Sequence, residues 1–418
     1  MPHSDHVSSV RNRRVALLVL LLVSIFNYVD RTIISILQVP IKRDLALSDA
    51  QLGMMTGLAF ALFYSTMGVP IARLADRFNR KYVIVASLAL WSAMTALGGF
   101  SWSFTSIVFF RIGVALGEAG SIPASHSVIA DYYEPARRGT ALALWGMALP
   151  IGVMLGYLSG GWIAQAIDWR AAMWIIGGTG LLLAPILLAL LKEPPRGRFD
   201  IGSEVELPGL RQGFAIMLAR PSLLFLFAGG ALNNFVLSIA LNWNAPFYAR
   251  LHHMSLGEVA TALAFMVGLG GGAGILAGGW VTDRIGQKRQ ARKPIIMALV
   301  AMAVCPATLL QVLSPSLEVS LLGSAFAVFF LFFYYSPIIA LCLALVPPGI
   351  RAFTTSVLLL TVNIVGLGLG PWLAGLLSDT IGGEEGLRVA MAAFSFVAIG
   401  AGGCFLLAAR TYTRDLSR

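Results

Sequence analysis

Twelve long apolar runs dominate this chain and leave little of it over. By residue number they cover 15–40, 52–71, 82–100, 104–130, 140–167, 171–191, 222–248, 259–281, 294–313, 319–346, 352–377 and 387–409. An α-helix rises about 1.5 Å per residue, so about twenty residues cross a hydrocarbon core about 30 Å thick. In that medium each segment must satisfy its own backbone N–H and C=O groups, which makes each run a helix. Charged residues are 12% of the chain, against roughly 25% in soluble domains, and mean hydropathy is +0.80. Too few charges remain to clothe a water-facing surface, and a chain this apolar is not disordered. Three cysteines cannot frame a disulfide scaffold; Cys305, Cys342 and Cys404 all fall inside apolar runs and read as small packing residues. The expected fold class is an all-α membrane protein with twelve transmembrane helices and no room for a soluble catalytic domain.

The formal net charge of +10 would make nucleic acid the first partner to consider in a soluble protein. The placement of the charges argues otherwise. With the runs crossing alternately, 23 of the 30 basic residues fall on one side: the three arginines at 11–14, then Arg73, Arg77, Arg80 and Lys81, and further groups at 137–138, 192–220, 284–293, 351 and 410–418. Lys42, Arg43, Arg170, Arg250 and Arg388 fall on the other. Basic loops stay cytoplasmic, so both termini are expected in the cytoplasm of a bacterial-type inner (plasma) membrane, with anionic lipid rather than nucleic acid as the polyanion. Residues 11–26 could open a signal peptide, but no small-residue cleavage site follows and the run continues through Asp30.

The chain repeats itself. Ala72-Arg73-Leu74-Ala75-Asp76-Arg77-Phe78-Asn79-Arg80-Lys81 follows the second run, and Gly279-Trp280-Val281-Thr282-Asp283-Arg284-Ile285-Gly286-Gln287-Lys288-Arg289 the eighth, with the Asp-Arg pairs 207 residues apart. Gly152, Gly156 and Gly161 are echoed 214 residues later by Gly366, Gly370 and Gly375. A duplicated chain implies two pseudo-symmetric six-helix bundles. The expected division is 1–191 for the first, 192–220 for a cytoplasmic linker rich in Pro and basic residues, and 221–418 for the second.

On these loops and repeats the sequence resembles the major facilitator superfamily of secondary transporters over nearly its whole length. The resemblance implies that Asp76 with Arg77 and Arg80, and Asp283 with Arg284 in the second copy, latch the halves together on the cytoplasmic side. Ala72 and Asn79 replace glycines usual in that motif, whereas the second copy keeps Gly279 and Gly286. Within the superfamily, several stretches look like the Spinster group of lipid transporters: Asn27-Tyr28-Val29-Asp30-Arg31, Arg111 through Gly117-Glu118-Ala119, Pro150-Ile151-Gly152 through Gly156-Tyr157, and Asn363 with Gly366-Leu367-Gly368-Leu369-Gly370-Pro371. Ala115 stands where a glycine is common. That likeness implies lysophospholipid- or sphingoid-like substrates.

The residues also argue for themselves. Asp30 lies fifteen positions into the first run, about 22 Å along a helix and too deep to snorkel easily to water. Arg111 and Glu118 are seven apart and share one face of the fourth run. An ionised group near mid-bilayer costs about 2.5 kcal/mol or more, and such groups face a cavity or a partner; a purely structural ion-pair staple is the alternative. Asp30, Glu118, Arg31 and Arg111 sum to zero. Arginine keeps its proton, so only a carboxylate can carry a coupled one. The expected roles are Asp30 as main proton carrier, Glu118 assisting, and Arg31 and Arg111 exchanging partners. Adjacent helical side chains diverge, so Asp30 and Arg31 should engage different groups. His126 could extend a relay or simply meet the interface, while His252 and His253 lie in a short loop and look ordinary. No set of residues has metal-ligand spacing, and no metal or cofactor is expected.

Ser24, Asn27, Arg31, Ser35 and Gln38 recur every three or four residues and give the first span a polar stripe. In the second half the polar groups are Asn233, Asn234, Asn242, Asn244 and Asn363 among many Phe, Leu and Met. A cavity with Asn27, Arg31, Gln38, Asn234 and Asn363 among its walls would suit an amphipathic substrate, although intramembrane asparagine also serves as interhelical glue. The run Gly268-Leu269-Gly270-Gly271-Gly272-Ala273 mimics a dinucleotide fingerprint but lies inside an apolar span with no strand before it; Gly270, Gly274 and Gly278 read instead as a close-packing seam. The expected function is secondary active transport by alternating access, coupled to protons, by a monomer moving an amphipathic or lipid-like substrate. A proton-coupled multidrug exporter or a small organic-anion carrier is the alternative within the class. An intramembrane enzyme has no motif to support it, and a receptor or channel stays open because fold does not fix function.

Overall fold

The computed structural model describes residues 10–197, 199, 210–286, 290–383 and 385–417. Among these residues every regular element is a helix. Twelve helices are long and apolar enough to cross a membrane. Spans one to six are Asn12–Ile36, Asp49–Ala75, Arg80–Gly98, Phe104–Tyr132, Arg137–Ala166 and Trp169–Leu190. Spans seven to twelve are Pro221–Leu251, Leu256–Arg284, Arg292–Leu313, Leu317–Ala344, Phe353–Ile381 and Glu385–Leu416. The expected all-α, twelve-span class is borne out. Span one ends earlier than its hydropathy suggests, and a short helix, Gln38–Leu45, follows. Pro40 has no N–H for the Ile36 carbonyl and is tolerated only in the first turn of a new helix. The 192–220 stretch carries a helix of its own, Leu210–Leu218.

The chain forms two compact units. The first comprises Met1–Leu47, Ala59–Ser203 and Ser255–Ala264; the second comprises Ser48–Leu58, Glu204–Met254 and Phe265–Arg418. In the first unit, span five lies hard against span one because Gly152 and Gly156 have no side chains. A β-carbon on Gly156 would lie 3.0 Å from the Val29 carbonyl oxygen and 2.8 Å from Thr32 Cβ. In the second unit, Gly366 and Gly370 press span eleven against span seven in the same way, with a β-carbon on Gly370 falling 2.7 Å from the Phe235 carbonyl oxygen. The glycine echo in the sequence is thus a repeated helix contact, the kind small residues make where lipid supplies no hydrophobic drive between helices. Gly274 and Gly278 of span eight likewise meet the Phe329 and Phe333 carbonyls of span ten, while Gly270 faces open space.

Two spans are shared between the units. Span two begins in the second unit and passes to the first after Leu58; span eight begins in the first and passes to the second after Ala264. At each passage the helix widens into a π-helical turn, Met54–Leu58 in span two and Met266–Gly271 in span eight. Such turns are uncommon and disrupt the regular hydrogen-bond ladder. In the second unit the start of span two docks on span eleven, where a side chain on Gly375 would collide with the Asp49 carbonyl. In the first unit the start of span eight docks on span five, where a β-carbon on Gly161 would lie 2.9 Å from the Leu256 carbonyl oxygen.

Candidate functional site

The first unit gathers four ionisable side chains at one place, three of them buried. Asp30 is 3% exposed, Arg111 4% and Glu118 0%, and the Arg31 side chain is 23% exposed. Spans one and four bring them together. Arg31 Nε donates to Glu118 Oε2 at 2.5 Å. Asp30, its neighbour in sequence, turns to span three and accepts a hydrogen bond from the Thr95 hydroxyl. Arg111 makes no direct ion pair among the described residues, but its charge faces both Glu118 and Asp30. Asn27, 1% exposed, faces Glu118 from span one. Two carboxylates held this close in a poorly solvating interior repel each other, and the two guanidiniums offset that repulsion.

The cluster is not fully satisfied. Arg31 Nη2 and Arg111 Nε are buried without a hydrogen-bond partner. Buried polar atoms are normally paired, and in this cluster two guanidinium nitrogens are not. Aromatic rings from spans one and two fill part of the gap. The Arg31 guanidinium sits 4.4 Å from the Tyr64 ring centroid, 5.1 Å from that of Phe60 and 5.8 Å from that of Tyr28. Arg111 sits 5.0 Å from the centroid of the same Phe60 ring.

In the second unit, Asn234, expected to line a cavity, makes contacts between helices. Asn234 Nδ2 donates to the Val362 carbonyl at 3.1 Å and its Oδ1 accepts from the Tyr334 hydroxyl at 3.3 Å. Asn363 lies in a third π-helical turn, Val362–Leu369, and is half-buried. The second unit also holds a polar clamp that sequence reasoning missed. Arg250 grips Asp49 through two bonds of 2.9 Å, and the Ser378 hydroxyl donates to Asp49 at 2.7 Å. The Asp379 carboxylate accepts the Asp49 and Ala50 backbone N–H groups at 2.9 and 2.7 Å.

A model of the Major Facilitator Superfamily matches residues 20–367. The chain belongs to that superfamily. A superfamily efflux pump of Mycolicibacterium smegmatis, named "MFS-type efflux pump", is 34% identical over 99% of this chain and 97% of its own length. The protein spinster of Drosophila melanogaster is 26% identical over 90% of this chain, which spans 64% of that longer protein. Among solved structures, a bacterial homologue of the human lysosomal transporter Spinster, captured inward-facing and unoccupied, superposes with a TM-score of 0.89 at 31% identity, covering 97% of this chain and 99% of that one. The likeness to Spinster proteins read from short stretches therefore holds across the whole chain. This is a superfamily transporter of the membrane with Spinster-like relatives.

The superfamily's loop motif is placed as follows. The side chain of Asp76 lies outside the described residues. Arg77 is exposed. Arg80 is buried at the start of span three, where its guanidinium binds Asp131 of span four, Glu193 at 2.6 Å, the Ser127 hydroxyl at 2.8 Å and the Pro194 carbonyl at 3.1 Å. In the second copy Asp283 lines a cleft with Thr282, Lys293 and Tyr412, and Arg284 rests 5.1 Å from the Trp280 ring centroid. Gln38 is fully buried where the helix after span one begins. His126 packs edge-on against Trp145 of span five at 4.6 Å rather than against Glu118. Among the described residues no group of three or more His, Cys, Asp or Glu is disposed to hold a metal.

Proposed function

We propose that this superfamily member is a proton-coupled secondary transporter that moves amphipathic, lipid-like substrates of the lysophospholipid or sphingoid type by alternating access. The observation that carries the reading is the cluster of Asp30, Arg31, Arg111 and Glu118, three of them buried, drawn from spans one and four and with Arg31 Nη2 and Arg111 Nε lacking a hydrogen-bond partner. Arginine keeps its proton, so the carboxylates are the groups able to bind one. Burial favours a neutral carboxyl and a facing guanidinium favours the ionised form. Changing which guanidinium faces which carboxylate therefore converts a shift in helix packing into proton uptake or release. Asp30 acts as main carrier, Glu118 assists, and Arg31 and Arg111 exchange partners. Arg31 Nη2 and Arg111 Nε are available to an anionic head group, with Asn27 and Gln38 four and seven positions from Arg31 along the chain and Asn234 and Asn363 contributed by the second half. The apolar chain of the substrate lies against the Phe- and Leu-rich spans of that half.

In this scheme residues 1–191 and 221–418 are the rocking bundles, 192–220 joins them, and the motif residues Asp76, Arg77, Arg80, Asp283 and Arg284 latch one state. The protein works as a monomer in a bacterial-type inner membrane. The mycobacterial efflux pump, at 34% identity, supports a second reading, export of amphipathic drugs by the same chemistry. Flux of a panel of lysolipids and cationic drugs into proteoliposomes, with and without an imposed pH gradient, distinguishes the two. Asp30→Asn is expected to abolish the gradient-driven component while leaving a folded, monodisperse protein. Unchanged proton-driven flux in that variant removes Asp30 from the mechanism.

A further inference from the structure

Phe60 and Tyr64 lie one turn apart on span two, with ring centroids 5.6 Å apart and planes within 14° of parallel. Phe60 is 2% exposed. Apolar core packing accounts for a buried phenylalanine but not for two guanidiniums brought within 5.1 Å of one ring centroid. The groups facing Glu118 are Asn27, Asp30 and Arg31 from span one and Arg111 from its own span, and Tyr28 of span one faces Arg31. Span two adds Tyr64 against Arg31, and span three adds the uncharged Thr95 against Asp30. Were Glu118 to take up a proton, Arg31 would lose the carboxylate now 2.5 Å away, and its buried Nη2 already lacks a partner. A bare guanidinium in that place would oppose protonation. An aromatic face attracts a cation through its quadrupole, most strongly where the charge is desolvated. The attraction is weaker while the carboxylate cancels the guanidinium's field. The rings therefore favour the state in which the carboxylate is neutral.

We propose that Phe60 and Tyr64 are positioning residues that seat the Arg31 guanidinium when Glu118 is protonated, so that this carboxyl can leave its ion pair without stranding a buried charge. The inference deepens the proton-coupled reading and rests on it. The rings follow directly on the π-helical turn of span two that ends at Leu58.

The test is an infrared pH titration of the purified, full-length protein. The protonated-carboxyl band of Glu118 is identified by difference against Glu118→Gln. In Tyr64→Leu the band's midpoint is expected to move to lower pH by about one unit, the displacement that a contact of about 1.4 kcal/mol produces. Tyr64→Phe keeps the ring face and should keep the midpoint. Phe60→Leu, an independent variant should Tyr64→Leu fold poorly, is expected to shift it in the same direction. The pH profile of flux in proteoliposomes should move with the band. A band that titrates in the parent and stays put, or moves to higher pH, in both leucine variants overturns the seat and leaves proton coupling standing. A parent protein with no titrating Glu118 band overturns the seat together with any role of Glu118 in carrying protons.

Discussion

Arg80 shows how one residue can change meaning between sequence and structure. In sequence it is one of several basic residues in a loop motif. In the folded chain its side chain is 3% exposed and binds two carboxylates, one 51 and the other 113 positions away. Removing one partner of a buried ion pair leaves an uncompensated charge and typically costs several kcal/mol. Arg80→Ala is therefore expected to lower the free energy of unfolding by about 3 kcal/mol, whereas the exposed Arg77→Ala should change it by less than about 0.5 kcal/mol; denaturant unfolding in mild detergent compares them. Asp30 shows the opposite balance. Its depth in the first span is legible from a count of residues, and so is the divergence of its side chain from that of Arg31. Its partner Thr95 is not, because a single hydroxyl on an apolar helix carries no mark of what it faces. Phe60 and Tyr64 were hidden for the same reason: aromatic residues in a membrane span look alike until a guanidinium is placed beside them.

Among elements, the helices and their glycine contacts were the most legible feature. The repeated spacing of Gly152, Gly156 and Gly161 and of Gly366, Gly370 and Gly375 is chain arithmetic, and each set presses its span against a neighbour. The polar start of span two was not legible. Hydropathy places the start of that run at residue 52, because Ser48, Asp49 and Gln51 look like loop. In the structure Ser48 and Gln51 form a reciprocal capping box, which satisfies two of the helix's orphan N–H groups, and Asp49 is the centre of the clamp with Arg250 and Ser378. The π-helical turns were not legible either, since a widened turn is set by what packs against it. Asp49→Asn keeps the shape but removes the charge facing Arg250. The expected outcome is a loss of stability of about 3 kcal/mol, checked by the same unfolding measurement, with Asp49→Glu losing less because it keeps the charge.

For the molecule as a whole, length and apolarity alone were enough to give the class, and the twelve helices follow the twelve apolar runs closely. Orientation rests on the distribution of basic residues rather than on any contact. The expectation is that both termini face the cytoplasm. Single cysteines introduced at positions 43 and 388 should react with a membrane-impermeant thiol reagent in intact cells, and one at position 137 should react only after the membrane is opened; the reverse pattern inverts the topology. What the sequence could not convey is which parts of the chain complete each unit, because that depends on pairings between residues from 92 to 330 positions apart.

The shared spans carry a consequence for how the protein comes into being. A polypeptide severed between spans six and seven would yield two pieces, each missing a short helical stretch made by the other. The early piece would lack residues 255–264, and the late piece would lack residues 48–58 together with the aspartate that Arg250 grips. During synthesis, then, the first unit is complete only once residue 264 has been made, and the second only once its late spans have met residues 48–58.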